Sequence, residues 1–260
     1  MIGIFDSGLG GLTGLYELRR RLPGCDIVYF GDTGRVPYGS KSASTIIKYS
    51  MQDMAFLSTF GIDAALVACG TASSTALDEL KKQYTIPIFG VIDPAAKDAV
   101  ASTKTGRIGV IGTSTTIKSG SFERAVKRID NNIEVTAVAC PLFVHLVENG
   151  FTTPGDEVTI AAARRYLSPL AGKIDTLILG CTHYPIISWA IEEALPGVKL
   201  ISSGRSAADA LADAVGDTQS GRGRVQCYVS DSPESFEAAA SIFLGGIDIG
   251  KTEQIDISRY

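Results

Sequence analysis

The chain has 260 residues, of which 45% are hydrophobic and 20% are charged. This composition excludes an intrinsically disordered protein and allows either one large domain or two lobes of ordinary size. The formal net charge of −4 gives no general electrostatic attraction to nucleic acid, and no apolar run is long enough to span a bilayer. We therefore expect a small-molecule ligand and neither a nucleic-acid nor a membrane partner.

The amino terminus and the cysteines both favour a cytoplasmic protein. The chain starts directly with the apolar run Ile2–Phe5, without the basic and apolar stretches of a secretory signal. The cysteines are odd in number and show no C-x-x-C spacing, so we expect neither a disulfide framework nor a metal site. The five cysteines are Cys25, Cys69, Cys140, Cys181 and Cys227.

Short apolar runs rich in β-branched residues alternate with helical patterns along the chain. Runs of this kind, buried on both faces, are typical of parallel strands in α/β proteins. The sequence therefore predicts an α/β fold with mainly parallel sheets flanked by helices. The predicted strands are Ile2–Phe5, Ile27–Phe30, Ala64–Ala68, Ile108–Ile111, Val135–Ala139, Leu177–Leu179, Val198–Ile201 and Val225–Val229.

The two halves of the chain resemble each other. Asp63–Cys69 is similar to Asp175–Cys181, with both the aspartate and the cysteine at one offset, and Ile2–Ser7 is similar to Ile108–Thr113. Two matches in the same order predict a duplicated lobe.

Ligands of open α/β sheets bind at the carboxyl ends of the strands, so two facing lobes would enclose one site. We assign residues 1–95 and 209–260 to lobe one, and residues 96–208 to lobe two.

Cys69 and Cys181 are the strongest functional candidates. Each ends a predicted strand and precedes a predicted helix, whose positive end would lower the thiol pKa from about 8.5. Either cysteine alone favours a buried structural role. As a symmetric pair they indicate an acid and a base that exchange roles, as racemisation of a tetrahedral carbon requires. His183 could assist Cys181, while Asp6 could face Cys69 or cap the turn that follows it.

The turn Ser7–Gly11 is rich in glycine but does not fit a dinucleotide fingerprint, because Thr13 stands where Gly or Ala is required. We interpret Gly8 and Gly10 as bringing backbone amides close to a small anion, and a tight turn explains them equally well.

Two further segments offer polar groups. The turn Val36–Ser40 could lay a phenol and backbone amides over a substrate, or could be a surface turn. The hydroxyls of Gly112–Thr116 could bind a carboxylate or cap a helix. Glu148 and His145, taken alone, favour solvated positions on a helix.

These motifs together closely resemble the glutamate racemase family, within the aspartate/glutamate racemase superfamily, over nearly the whole chain. The resemblance implies a two-lobed α/β fold with the active site between the lobes, and cofactor-independent two-base racemisation of L-glutamate to D-glutamate for peptidoglycan, usually in a homodimer. The matching motifs are Phe5–Leu12, Tyr29–Thr33, Pro37–Gly39, Cys69–Ser73, Ile108–Thr113 and Gly180–Pro185.

The resemblance also implies roles for particular residues, with no cofactor and no metal. The catalytic set is Cys69 and Cys181, with auxiliary roles for Asp6, His183 and Glu148. With the two polar segments described above, the candidate substrate-binding set is Asp6, Ser7, Pro37, Tyr38, Gly39, Gly70, Thr71, Thr113, Thr116, Thr182 and His183.

Gly70 departs from the family pattern, which has Asn directly after the first catalytic cysteine. We expect that Gly70→Asn raises kcat/KM for glutamate by restoring a hydrogen bond to the substrate. Two alternatives remain open at this stage. One is a racemase of aspartate or another small amino acid that uses the space at Gly70, and the other is a catalytically inactive amino-acid-binding homologue.

Overall fold

The computed structural model describes residues 1–216, 221–244, 247 and 249–260. These residues form two sheets, in which every strand pairing is parallel, together with the helices that flank them. The strands are β1 (Ile2–Asp6), β2 (Ile27–Gly31), β3 (Ala64–Val67), β4 (Ile88–Gly90), β5 (Arg107–Gly112), β6 (Glu134–Ala139), β7 (Thr176–Leu179), β8 (Lys199–Ser202), β9 (Val225–Val229) and β10 (Thr252–Gln254).

The α-helices connect successive strands. They are α1 (Leu12–Arg21), α2 (Ala43–Ser58), α3 (Gly70–Thr75), α4 (Leu77–Gln83), α5 (Ile92–Ser102), α6 (Ser114–Ser119), α7 (Ser121–Ile129), α8 (Leu142–Glu148), α9 (Glu157–Leu167), α10 (Ser188–Ala194), α11 (Ser203–Val215) and α12 (Pro233–Leu244). In the described part of the chain, no helix combines the length and apolar character needed to cross a membrane.

The sheet topology is duplicated. The first sheet has the order β10-β9-β2-β1-β3-β4, and the second has the order β6-β5-β7-β8. The segment β2-β1-β3-β4 thus recurs as β6-β5-β7-β8, with β1 and β5 as equivalent central strands. The two similar lobes predicted from the sequence repeat are confirmed, and β9 and β10 extend the first sheet.

Each predicted apolar run coincides with a strand, although Ala68 and Val198 lie just outside β3 and β8. The reason is clearest in the first sheet, because strands covered on both faces need apolar residues throughout. β1, β2 and β3 are buried at every position. Two short strands were not predicted. β4 is apolar but has only three residues between Pro87 and the helix α5, and β10 has the polar sequence Thr-Glu-Gln. Pairing with β3 and β9 specifies them instead.

The proposed lobe boundaries fall within two helices that contact each other. The boundary after residue 95 lies in α5, and the boundary before residue 209 lies in α11. The segment 209–260 also includes residues 217–220, 245, 246 and 248, which lie outside the described residues. The division into residues 1–95 with 209–260 and residues 96–208 stays a prediction.

Candidate active site

The carboxyl ends of β1, β3, β5 and β7 converge on one cavity of about 300 Å³ between the sheets. Both candidate cysteines line it, each supplied by the loop after an equivalent strand. Most other candidates line it too, whereas Asp6 and Thr116 are buried and do not line it. The candidates in the lining are Ser7, Pro37, Tyr38, Gly39, Cys69, Gly70, Thr71, Thr113, Glu148, Cys181, Thr182 and His183.

The lining also contains residues that the candidate set lacks. Three of them, Pro141, Val144 and His145, lie at or near the start of α8, and helical spacing brings Val144 and His145 onto the face of Glu148. That spacing is the sequence signal that could have identified them, and His145 keeps the exposed helix position expected for it while it also lines the cavity. The remaining additions flank the recognised motifs: Gly8, Val36, Ser40, Ser114 and Gly180.

Cys69 is the N-cap residue of α3, and its Sγ accepts a hydrogen bond from the Ala72 amide at 3.5 Å. The thiol lies 3.5 Å from Ser7 Oγ, to which it donates. Burial raises the pKa of Cys69 to about 12, and the charge of Asp6 adds to the increase. The expected lowering of this thiol pKa is therefore wrong, because loss of water around a thiolate outweighs the helix N-terminus.

Asp6 lies at the end of β1 and combines the two roles considered for it. Its Oδ2 accepts a hydrogen bond from the Gly8 amide at 2.9 Å, so it caps the turn, and its charge acts on Cys69. Burial raises the pKa of Asp6, while the charge of His183 opposes the increase. The Gly8 amide thus serves the tight turn considered for Ser7–Gly11, and binding of a ligand anion by other amides of this turn stays a prediction.

Cys181 has different neighbours. His183 Nδ1 lies 3.8 Å from Cys181 Sγ, and His183 Nε2 lies 3.0 Å from Glu148 Oε1. Burial lowers the pKa of His183, but hydrogen bonds to Cys181 and Glu148 outweigh burial and raise it to about 10. The predicted helix after Cys181 is a 3-10 turn over Tyr184–Ile187, so a charged histidine rather than an α-helix N-terminus accompanies this thiol.

We expect Glu148→Gln to shift the alkaline limb of the pH profile of kcat/KM to lower pH. Glu148 raises the His183 pKa, so its removal lets the ring lose its proton earlier as the pH rises. The stability that His183 gains from its partners is complete below pH 6.5 and is lost as pH rises through about 10. A profile measured from pH 6 to pH 10.5 tests this, and an unmoved limb would contradict the role of Glu148.

Threonine hydroxyls join the two lobes beside the cysteines. Thr71 Oγ1 lies 3.1 Å from Thr113 Oγ1 and 3.4 Å from Thr116 Oγ1. Thr113 also caps α6 by accepting from the Thr116 amide, so capping and a place at the cavity coexist. Among the described lining residues there is no lysine or arginine. Apart from His183, the described lining therefore offers hydroxyls and backbone amides to an acidic ligand, rather than lysine or arginine side chains.

The turn Val36–Ser40 forms part of the wall, but the phenol of Tyr38 points away from the ligand space. Its hydroxyl is buried and contacts carboxyl oxygens of Asp32 and Asp53. The expectation that this phenol covers a substrate is therefore wrong, and only the ring and backbone of Tyr38 are available to the cavity. The carbonyl of Gly39 accepts a hydrogen bond from Thr115 Oγ1 at 2.6 Å, which ties this turn to the other lobe.

Two glycines permit close approach between the lobes. A Cβ on Gly10 would overlap Thr182 Oγ1 and would lie 2.7 Å from His183 Nδ1. A Cβ on Gly70 would overlap the backbone carbonyl oxygen of Gly180. Gly10 therefore serves packing between the lobes, where an anion-binding role had been expected.

The contact at Gly70 reverses the expectation for Gly70→Asn. Any side chain at this position meets the Gly180 backbone, which can yield only if the segments carrying the two cysteines move apart. We expect kcat/KM for glutamate to fall by about 10²-fold, the effect of displacing reacting groups by about 1 Å. Initial rates from both enantiomers test this, and a variant faster than the unmodified protein would show that Gly180 adapts.

Comparison with known proteins places the chain in a family. Residues 19–211 match the model described as Asp/Glu/Hydantoin racemase. A glutamate racemase from Aquifex aeolicus is 47% identical over 244 residues, which cover 94% of each chain. Among crystal structures, a glutamate racemase isoform from Bacillus anthracis has a TM-score of 0.92 and 36% identity, with 98% of this chain and 97% of that chain covered.

A second similar structure is that of glutamate racemase from Francisella tularensis in complex with D-glutamate. Its TM-score is 0.91 and its sequence identity is 35%, and the match covers 100% of this chain and 98% of that chain. Both the near-complete coverage and the duplicated topology agree with the motifs around the cavity. The chain belongs to the glutamate racemase family.

Proposed function

We propose that this protein interconverts L- and D-glutamate by two-base proton transfer between Cys69 and Cys181. The observation that carries the proposal is the pair of thiols that equivalent strand ends of two lobes supply to one cavity. Family membership supports the substrate, since the Francisella tularensis relative is described in complex with D-glutamate.

The two thiols have unequal surroundings. The protonated ring of His183 lies beside Cys181, where negative charge forms when this residue acts as the acid, whereas burial and the charge of Asp6 raise the pKa of Cys69. In one direction the Cys181 thiolate removes the Cα proton, the electron pair stays on the substrate, and the Cys69 thiol protonates the other face. Cys69 is then the thiolate, and the reverse direction runs from that state.

Hydrogen-bond donors would stabilise the carbanion that forms between these two steps. The hydroxyls of Thr71, Thr113 and Thr182 are candidates, because they lie in the lining and can donate to a carboxylate. Such donors act strongly in an enclosed site from which water is excluded. We assign Ser7 and the amides of the Pro37–Gly39 turn to binding of the same substrate.

The proposal extends to the setting of the reaction. All five cysteines are free and buried, which suits a reducing compartment, so we propose the cytoplasm. We further propose a homodimer that needs no cofactor and supplies D-glutamate for peptidoglycan, as the family resemblance implies.

The experiment is hydrogen exchange at Cα in deuterated water, with purified protein and no added cofactor. We expect L- and D-glutamate each to gain deuterium and to converge on a racemic mixture, with aspartate much slower. Exchange of aspartate but not glutamate would overturn the substrate assignment. Binding of glutamate without exchange would support the inactive homologue instead.

The structure gives the aspartate alternative less support than the sequence did. That alternative used the space left by the missing side chain at Gly70, and the carbonyl of Gly180 fills this space. Glutamate therefore stays the proposed substrate.

A further inference from the structure

A buried charged cluster lies behind the Pro37–Gly39 turn of the cavity. Asp32 and Asp53 are fully buried, and Arg35 is the cation between them. Arg35 Nε donates to Asp32 Oδ2 at 2.6 Å, and Arg35 Nη2 donates to Asp53 Oδ1 at 2.8 Å. Two ionised carboxylates against one guanidinium would leave a buried negative charge without compensation, which is costly. One proton on either acid makes the cluster neutral.

The phenol of Tyr38 shows that a carboxyl proton is needed. Its oxygen contacts Asp32 Oδ2 and lies 2.9 Å from Asp53 Oδ2. A phenol has one proton, so it can donate to only one of these oxygens and must accept from the other. Acceptance from a carboxyl group is possible only when that group is protonated.

The distribution of donors identifies the acid that carries the proton. Asp32 accepts from Arg35 on Oδ2 and from Ser230 Oγ on Oδ1 at 2.8 Å, so both of its oxygens act as acceptors. Asp53 accepts from Arg35 on Oδ1 only, and its Oδ2 has Tyr38 as its hydrogen-bond partner among the described residues. A proton on Asp53 Oδ2 gives every donor an acceptor: Asp53 donates to Tyr38, and Tyr38 donates to Asp32.

We propose that Asp53 is a protonated acid in the folded protein and that the chain Asp53–Tyr38–Asp32, neutralised by Arg35, is a positioning device for the Pro37–Gly39 turn. This inference rests on the proposed function only where it concerns activity. Burial raises the pKa of Asp53 well above its usual range, and the charge of Asp32 adds to the increase while Arg35 opposes it. Asp53 touches no substrate, so it is a positioning residue.

The cluster is anchored to elements on several sides, which is what a positioning device requires. Asp53 lies on α2, while Asp32 directly follows β2. Arg35 Nη1 also donates to Gln52 Oε1 at 2.6 Å, and its guanidinium lies 4.1 Å from the ring centroid of Tyr49. The turn that this cluster holds is the one whose Gly39 carbonyl contacts Thr115 of the other lobe.

The test compares Asp53→Asn with Asp53→Leu in the full chain. Asparagine reproduces a protonated aspartate, because its amide donates to Tyr38 while its oxygen accepts from Arg35. We expect Asp53→Asn to keep kcat/KM within about threefold, and Asp53→Leu to lower it by about 5- to 150-fold through loss of satisfied polar groups. The loss should be mainly in KM, because the turn binds substrate and transfers no proton.

Infrared difference spectroscopy at pH 7 supplies a readout that does not depend on activity. We expect the carbonyl stretch of a protonated carboxyl group to disappear in Asp53→Asn and to persist in the control Asp98→Asn, which changes an exposed carboxylate on α5. An unchanged carboxyl band in Asp53→Asn would overturn the proposal, even if Asp53→Leu does not fold. A fall in kcat/KM for Asp53→Asn as large as for Asp53→Leu would overturn it too. Because the spectrum needs no substrate, failure of the glutamate assignment remains distinguishable.

Discussion

Cys69→Ser and Cys181→Ser should each lower racemisation by about 10²- to 10⁴-fold, the usual contribution of a general acid or base. A hydroxyl is a much weaker acid than a thiol, so serine can neither form the anion needed at one face nor release its proton readily at the other. The fall should appear from both enantiomers, since each direction uses both residues. Optical rotation of glutamate solutions over time measures it.

Cys25→Ser is the matched control for both variants. Cys25 is also a free, buried cysteine, but it does not line the cavity. Its Sγ contacts the Asp26 carbonyl oxygen at 3.4 Å, a hydrogen bond that a serine hydroxyl can replace. We expect this variant to keep its activity. Full activity in either Cys69→Ser or Cys181→Ser would contradict the two-base mechanism.

Gly10→Ala should lower kcat/KM by about 10²-fold, although it adds only one methyl group outside the cavity lining. That methyl would overlap Thr182 Oγ1 and press on the ring of His183. His183 cannot retreat without losing its 3.0 Å hydrogen bond to Glu148, so the strain moves either this ring or the whole lobe. Displacement of reacting groups by about 1 Å has an effect of this size.

The control for Gly10→Ala is Gly24→Ala, where the added Cβ has no neighbour within 4 Å. Steady-state kinetics of both variants, with thermal unfolding to establish that each is folded, make the comparison. Equal activity of the two variants would show that the lobes do not need the close approach at Gly10.

Most strands could be predicted because parallel strands buried on both faces need apolar runs, and such runs can be recognised in the amino-acid sequence alone. The duplication was visible for a related reason, since equivalent strand ends carry equivalent residues. β10 could not be predicted, because its Thr-Glu-Gln sequence has no strand pattern and its position depends on β9, which lies more than 20 residues earlier in the chain.

Some features of the candidate site could likewise be predicted from the sequence, and others could not. Cys69, Cys181 and the hydroxyl turns follow strand ends and could be placed by counting along the chain. The direction in which the pKa of Cys69 shifts could not be predicted, because it depends on how completely the other lobe covers the thiol. The partnership of Tyr38 with Asp53 joins a turn to a helix, and no local pattern indicates that a phenol will turn inward. The first expectation for Gly70→Asn failed for the same reason, because the neighbour of Gly70 is the backbone of Gly180 in the other half of the chain.

The cavity has chemically unequal walls, with Ser7 and Asp6 near one thiol and His183 with Glu148 near the other. Mirror-image forms of an amino acid have equal free energy in water, so the equilibrium constant between them is one. The values of kcat/KM in the two directions of a racemase must therefore be equal, whatever its side chains are. Different side chains on the two sides of the cavity can therefore make kcat differ between the two enantiomers only if KM differs by the same factor. At saturating substrate such a protein runs faster from one enantiomer, and at low substrate it runs equally fast from both.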